Sequence, residues 1–190
     1  MWAIKKPLMV LAFGLVFSVV AFSQNDPIPN GLGLGYSIGE RGGDWAVGIN
    51  ATSPYVQVTK TGFWAVRASG DVLFKEGVLV GGTVDTRKPY LTARFGSVEA
   101  IIPNNLMRLY AEVGVLAVFP NNNIASSTDP SFGAYGHFGG EIFITSAKHV
   151  SIFCEIGDEL TFDAAGADKF QGSPTLATGP SVASGVRFNL

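Results

Sequence analysis

Apolar and polar residues alternate along most of this chain after residue 24. A period of two residues is typical of a β-strand whose two faces meet different surroundings. The segment MRLYAEVGVLAVF, residues 107–119, shows the pattern clearly, because every second residue from Leu109 to Phe119 is apolar. No segment shows convincing helical periodicity, so the pattern predicts an all-β fold.

Eight segments carry this alternation, and turn-forming residues separate them. The predicted strands lie near residues 32–39, 45–51, 63–74, 91–95, 107–119, 137–144, 150–156 and 181–190. Long gaps near 75–88, 120–131 and 163–177 alternate with short ones at 102–105 and 146–148. Eight strands with long loops at one end and short turns at the other predict an antiparallel up-and-down transmembrane β-barrel.

The charged residues of these strands share the parity opposite to the apolar residues. The set contains four arginines and four acids: Arg67, Asp71, Arg94, Arg108, Glu112, Glu141, Glu155 and Arg187. If the apolar parity faces outward, these charges point into the barrel. Because an unpaired buried charge is very costly, we expect them to form an interior network of ion pairs. Eight strands enclose only enough room for side chains, so the pattern also predicts no open pore.

The first residues predict a cleaved signal peptide over residues 1–23 and a barrel domain over 24–190. Lys5 and Lys6 give a positive start, residues 8–20 are apolar, and small residues surround a cut before Gln24. The apolar run is short for a membrane-spanning helix, which needs about 20 residues. An uncleaved N-terminal anchor is the alternative interpretation.

The composition of the chain argues against nucleic-acid binding and excludes an internal disulfide. The chain has 13 basic and 15 acidic side chains, so it lacks the positive charge of a nucleic-acid-binding protein. Cys154 is the only cysteine, which excludes an internal disulfide. The 24 glycines and 14 phenylalanines suit strands that face lipid.

Three stretches carry a resemblance to a known family. GLGLGYSIGERGGDWAVGIN, GGEIFITSAKHVSIFCEIG and SGVRFNL resemble the bacterial outer-membrane β-barrel superfamily, the OmpA/OmpX-like group of small eight-stranded barrels. The resemblance implies outer-membrane lipid as the surroundings and recognition of the last strand by the barrel assembly machinery. Members commonly end in phenylalanine, whereas here Phe188 precedes Leu190 by two residues.

Few residues suggest catalysis or ligand binding. His149 and Ser151 resemble the His-x-Ser of lipid A deacylases, with Asp163 as a conceivable third member, but the surrounding sequence does not match. We therefore predict no catalytic residue, no cofactor and no metal site. His137 has no second His or Cys at ligand spacing and is predicted to be a hydrogen-bonded interior residue. Five aromatic residues near strand ends are candidates for interfacial girdles: Trp45, Tyr55, Trp64, Tyr90 and Phe119.

These observations favour a small outer-membrane barrel, not an enzyme, that is structural or interacts with partners through its long loops. A barrel enzyme acting on lipid is one alternative and would need polar residues facing lipid. A secreted soluble β-barrel that binds an apolar ligand is another, and it would place its charges outside. The sequence does not identify a ligand for the loops.

Overall fold

The computed structural model describes residues 31–75, 79–80, 83–84, 88–104, 106–120, 129–144, 149–162 and 177–190. The predicted signal peptide lies outside these residues, as do most of the predicted long loops. All regular structure in the described part is β-structure. No helix long and apolar enough to cross a membrane occurs in the described residues.

Eight long strands form the fold. They are β1 (Gly33–Arg41), β2 (Asp44–Thr52), β3 (Gly62–Lys75), β4 (Lys88–Asn104), β5 (Met107–Phe119), β6 (Ser131–Phe143), β7 (Val150–Thr161) and β8 (Gly179–Asn189). Three two-residue strands accompany them: Val56–Gln57 pairs with β3, and Leu79–Val80 pairs with Thr83–Val84. Each long strand is antiparallel to both of its neighbours.

The sheet closes on itself. β1 pairs with β8 in continuous register, from Gly33 opposite Asn189 to Arg41 opposite Ser181. The remaining strands pair in chain order from β1 to β8. Closure leaves none of the eight strands with an unpaired edge. The predicted eight-stranded antiparallel β-barrel is therefore confirmed, as far as its fold is concerned.

The register also fixes the tilt of the strands. Following paired residues from Gly33 through β2 to β7 leads to Gly179 of β8. Gly33 itself pairs directly with Asn189 of the same strand. One circuit thus shifts the register by about ten residues, which for eight strands corresponds to a tilt of about 40° from the barrel axis. The intermediate residues are Thr52, Arg67, Gly96, Gly114, Tyr135 and Glu159.

Strand direction divides the connections between two ends. Residues 42–43, 76–87, 120–130 and 162–178 join strands at one end, here called the loop end. Residues 53–61, 105–106 and 144–149 join them at the other, the turn end. The first connection is tight because Gly42 and Gly43 both have positive φ, 56° and 85°, which suits a two-residue hairpin turn.

The two faces of the barrel wall differ sharply in chemistry. The outward face is apolar, and Tyr36, Val113 and Phe138 are 63%, 63% and 70% exposed on it. The interior is rich in charge, because its largest fully buried side chains include Arg41 and Arg187, and these lie among buried apolar residues such as Leu73 and Leu116. A water-soluble barrel has the reverse arrangement, with apolar side chains inside.

Several strands are longer than the alternation predicted, among them β4, β6 and β7. β4 begins at Lys88 and continues to Asn104, so Ile102, Pro103 and Asn104 belong to the strand and not to the predicted turn. Pro103 lies where the pairing with β5 shifts register, a place where the missing proline N–H is tolerated. β7 runs on to Thr161, five residues past the predicted end at Ile156.

Candidate functional site

The interior of the barrel is the most distinctive chemical feature of the described residues. It holds five arginines and six carboxylates, each at most 6% exposed: Arg41, Asp44, Arg67, Asp71, Arg94, Arg108, Glu112, Glu141, Glu155, Glu159 and Arg187. All eight charged residues of the predicted network lie in this set. Alternation explains their common direction, because inward positions recur every second residue along each strand.

Four of these charges form a closed ring near the loop end. Arg94 approaches Asp71 at 2.7 Å (Nη2 to Oδ2) and Glu159 at 3.3 Å (Nη1 to Oε1). Arg41 contacts the same two acids, Glu159 at 3.2 Å and Asp71 at 3.4 Å. Each arginine thus bridges both carboxylates, so the ring is electrically neutral.

A second group of charges lies at mid-height. Arg67 Nη1 lies 2.6 Å from Glu112 Oε2 and 3.2 Å from Glu155 Oε2. Tyrosine hydroxyls donate to the same carboxylates, Tyr135 to Glu112 at 2.6 Å and Tyr110 to Glu155 at 3.1 Å. Both acids therefore receive charge-assisted hydrogen bonds, the stronger kind in a protein interior.

A third group lies at the turn end and centres on one carboxylate. Glu141 Oε2 accepts from Arg187 at 3.0 Å and from Arg108 at 3.2 Å. Ser151 donates to the other oxygen of Glu141. Aromatic rings support both arginines: the Arg108 guanidinium lies 4.2 Å from the Tyr55 ring, and that of Arg187 lies 4.6 Å from the Phe153 ring. Such cation–π contacts add to the ion pairs where water is excluded.

The ion pairs cross the interior and do not simply follow the wall. Arg41 of β1 meets Glu159 of β7, and Arg67 of β3 meets Glu155 of β7. Neither pair of strands is adjacent in the sheet. Side chains that meet across the lumen occupy the space through which solute would pass, so the described interior is filled.

Tyr90 carries a further contact at the loop end. Its hydroxyl donates to Asp44 Oδ2 at 2.7 Å and accepts from the backbone N–H of Ala177 at 3.1 Å. Ala177 precedes β8 and has a positive φ of 48°. The contact fixes the chain just before the last strand against β2 and β4.

Tyr55 and Tyr90 correct one expectation. Both were predicted to lie in interfacial aromatic girdles, but their exposed fractions are only 6% and 2%. Tyr90 shares the inward parity of Arg94 on β4, and Tyr55 packs beneath Arg108. Trp45, Trp64 and Phe119 are exposed on the outward face, at 40%, 39% and 41%.

His137 lies in the interior and is hydrogen-bonded. Its Nε2 is 3.2 Å from Ser181 Oγ and 3.5 Å from Glu159 Oε1. Among the described residues, no group of three or more His, Cys, Asp or Glu side chains is arranged to hold a metal ion. Cys154 is a half-buried free thiol on the outward parity.

His149 and Ser151 have different surroundings in the described part of the chain. His149 is exposed, and its Nδ1 lies 2.9 Å from the backbone oxygen of Asn189. Ser151 is fully buried and bonded to Glu141. Asp163, the conceivable third member, lies outside the described residues.

Sequence reasoning missed three interior charges: Arg41, Asp44 and Glu159. Each lies at a strand end, where the predicted strand stopped or a turn was assigned. Their parity indicates the inward direction. Glu159 lies two repeats of the two-residue period after inward Glu155, and Asp44 shares the parity of inward Ala46. Extending each alternation to the last compatible residue would have found all three.

Comparison with known proteins gives no further guide. No protein-family model matches this sequence, and no curated protein is significantly similar to it. The fold and its interior contacts are therefore the basis for inferring function.

Proposed function

We propose that this protein is a small β-barrel of the bacterial outer membrane that has no open pore and no catalytic activity. Its role is structural, or it interacts with partners through the long connections at the loop end. A signal peptide over residues 1–23 directs its export and is removed. It needs no cofactor.

The observation that carries the proposal is the inside-out distribution of polarity. Large apolar side chains on successive strands are exposed outward, including Tyr36, Ile49, Val113 and Phe138 at 60% or more. Eleven charged side chains, by contrast, are buried inside the barrel, where they form ion pairs such as Arg94–Asp71 and Arg187–Glu141. In water such a surface would be a large aggregation-prone patch, whereas in a bilayer it faces hydrocarbon.

Closure of the sheet supports the same proposal. In lipid every backbone N–H and C=O needs an internal partner, so a strand protein can span a bilayer only as a closed barrel. Pairing of β1 with β8 meets this requirement in the described strands. The partners that follow are outer-membrane lipid and the barrel assembly machinery, which would recognise the last strand.

The filled interior supports the absence of a pore. Arginine–carboxylate contacts bridge strands that are not adjacent, and tyrosine and phenylalanine rings pack between them. The same interior argues against a soluble barrel that binds an apolar ligand, because it offers charges where such a ligand would need apolar contacts.

Membrane fractionation combined with a heat-modifiability gel tests the proposal. The exported protein is expected in the detergent-soluble envelope fraction, and the unboiled sample is expected to migrate differently from the boiled one because a closed barrel resists detergent. Recovery of folded protein in the aqueous phase would contradict it and would favour the soluble barrel. Mass spectrometry of the same material tests the predicted start near Gln24.

A further inference from the structure

Glu99 is an exception to the inside-out distribution. It lies on β4 with the outward parity and is exposed among apolar side chains. It makes no side-chain hydrogen bond or ion pair with any residue that the structure describes. An ionisable group on a face that contacts lipid is costly, and such a group marks a functional site with a partner to be named.

The surroundings of Glu99 form an open groove. The groove has a volume of about 600 Å³ and crosses the outer surface of β3, β4, β5 and β6 near the turn end. Apart from Glu99 and Thr59, whose hydroxyl accepts a hydrogen bond from the Gly62 N–H at 2.8 Å, its outward side chains are apolar: Val58, Ile101, Leu109, Ala111 and Phe138. Ala111 lies between Glu99 and Phe138 in the register, so its small side chain makes the floor.

In the proposed membrane location, the groove lies at the height of the lipid headgroups. Glu99 is directly opposite Trp64 in the pairing of β3 with β4, and Trp64 lies near the start of β3. The indole N–H of Trp64 donates to Ser97 Oγ at 2.7 Å on the same face. Tryptophan side chains concentrate at membrane–water interfaces, so the carboxylate would meet headgroups while Phe138 lies deeper along the wall.

We propose that this groove binds a phospholipid with a primary ammonium headgroup, such as phosphatidylethanolamine; the proposal rests on the proposed membrane location. The ammonium donates a hydrogen bond to the Glu99 carboxylate and balances its charge. One acyl chain lies over Ala111 and against Phe138. The groove is continuous with the apolar outer wall of the barrel. Lipid that surrounds the barrel can therefore enter the groove without any part of the protein moving.

Native mass spectrometry tests this assignment. The full chain is inserted into vesicles of equimolar phosphatidylethanolamine and phosphatidylcholine with identical acyl chains, extracted in mild detergent, and analysed for retained lipid. The trimethylammonium group of phosphatidylcholine cannot donate a hydrogen bond. We expect the ethanolamine lipid to be enriched about three-fold, the scale of an exposed charge pair. Glu99→Gln should remove the enrichment, and Glu99→Asp should keep part of it.

Two further variants separate the carboxylate from the groove. Glu40→Gln removes an exposed carboxylate near the loop end, outside the groove, and should leave the enrichment unchanged. Ala111→Phe fills the floor and should reduce the total lipid retained although Glu99 is intact. Equal retention of the two lipids by the wild type, or undiminished enrichment in Glu99→Gln, would overturn the proposal.

A third result would indicate that the groove binds a protein and not a lipid. Glu99-dependent capture of a lysine-rich protein, without headgroup preference, would overturn lipid binding in favour of a basic partner. A chain that fails to insert into vesicles contradicts the proposed function. A chain that inserts and shows heat modifiability, but has no headgroup preference, contradicts only the present inference.

Discussion

Arg187 and Phe188 are neighbours in β8 and have opposite surroundings. Arg187 is fully buried, with its guanidinium on Glu141 at 3.0 Å and over the Phe153 ring. Phe188 is exposed on the outward face. The difference follows from parity alone, because successive residues of a strand point to opposite sides of the sheet.

Arg187→Leu is therefore expected to be much more damaging than Phe188→Leu. The first change removes one of the two arginines of Glu141, and breaking a buried ion pair costs about 3–5 kcal/mol. We expect the lower end of that range because Arg108 remains bonded to Glu141. Phe188→Leu should leave the unfolding free energy nearly unchanged. Urea unfolding in lipid vesicles measures both; a silent Arg187→Leu beside a disruptive Phe188→Leu would reverse the assigned faces.

Glu141→Gln gives a complementary test. It leaves Arg108 and Arg187 on the same neutral acceptor with no carboxylate between them, so the two positive charges repel in a low-dielectric interior. We expect a loss of about 3–5 kcal/mol in unfolding free energy, as for other broken buried pairs. Glu40→Gln, an exposed site, is the matched control and should change stability little. Equal effects of the two variants would show that the interior network does not stabilise the barrel.

The direction of a charged side chain could be predicted from the sequence, whereas its partner could not. Alternation alone placed Arg67 and Glu155 on the same side of the wall. Their contact at 3.2 Å joins β3 to β7 across the lumen. That meeting depends on the tilt of the strands and on side-chain rotamers, neither of which the pattern of one strand contains.

At the scale of a strand, glycines make room for interior aromatic rings. A Cβ atom added to Gly139 of β6 would collide with the Tyr110 ring, and one added to Gly185 of β8 would collide with both the Tyr36 backbone oxygen and the Phe153 ring. Tyr110 has little freedom to move, because it donates to Glu155 and lies 4.7 Å from the Arg67 guanidinium. The Tyr110 ring therefore packs against the backbone of β6 at Gly139, which has no side chain.

Gly139→Ala is expected to destabilise the barrel by about 1–3 kcal/mol, the usual cost of overpacking an interior. Gly136→Ala on the same strand is the matched control, because its Cβ would meet nothing nearer than 3.9 Å, at Val113 Cγ1. We expect the control to be neutral. The midpoint of urea unfolding in vesicles measures both, and equal midpoints would mean that the Tyr110 ring is free to shift.

Strand existence could be predicted from alternation, but strand ends could not. β4 includes Pro103 and reaches Asn104, although proline and asparagine favour turns. Pairing of Asn104 with Met107 of β5, resumed after the register shift at Pro103, holds this end of the strand in the sheet. β7 continues past Gly157 because β8 pairs with it as far as Glu159 and β6 as far as Thr161. Tertiary pairing overrides local preference at both ends.

At the scale of the whole molecule, the interior contacts support the proposed absence of an open pore. The ring of Arg41, Asp71, Arg94 and Glu159 and the pairs of Arg67 lie at successive heights in the lumen. An ion would have to separate these charges in order to pass. We expect purified protein in a planar bilayer to show no stable current, and reproducible open channels would contradict the filled interior.

The closure of β1 on β8 has a consequence for the order of events during folding. Gly33 and Asn189 are partners in the sheet although almost the whole described chain lies between them. Loop-closure entropy makes such long-range pairing slow, so folding rates fall as contacts become more distant in sequence. Until β8 reaches β1, each would present unpaired backbone groups, which hydrocarbon does not tolerate. In the proposed membrane location, insertion and closure are therefore expected to be concerted, and the nascent chain is expected to need protection from aggregation until its final strand arrives.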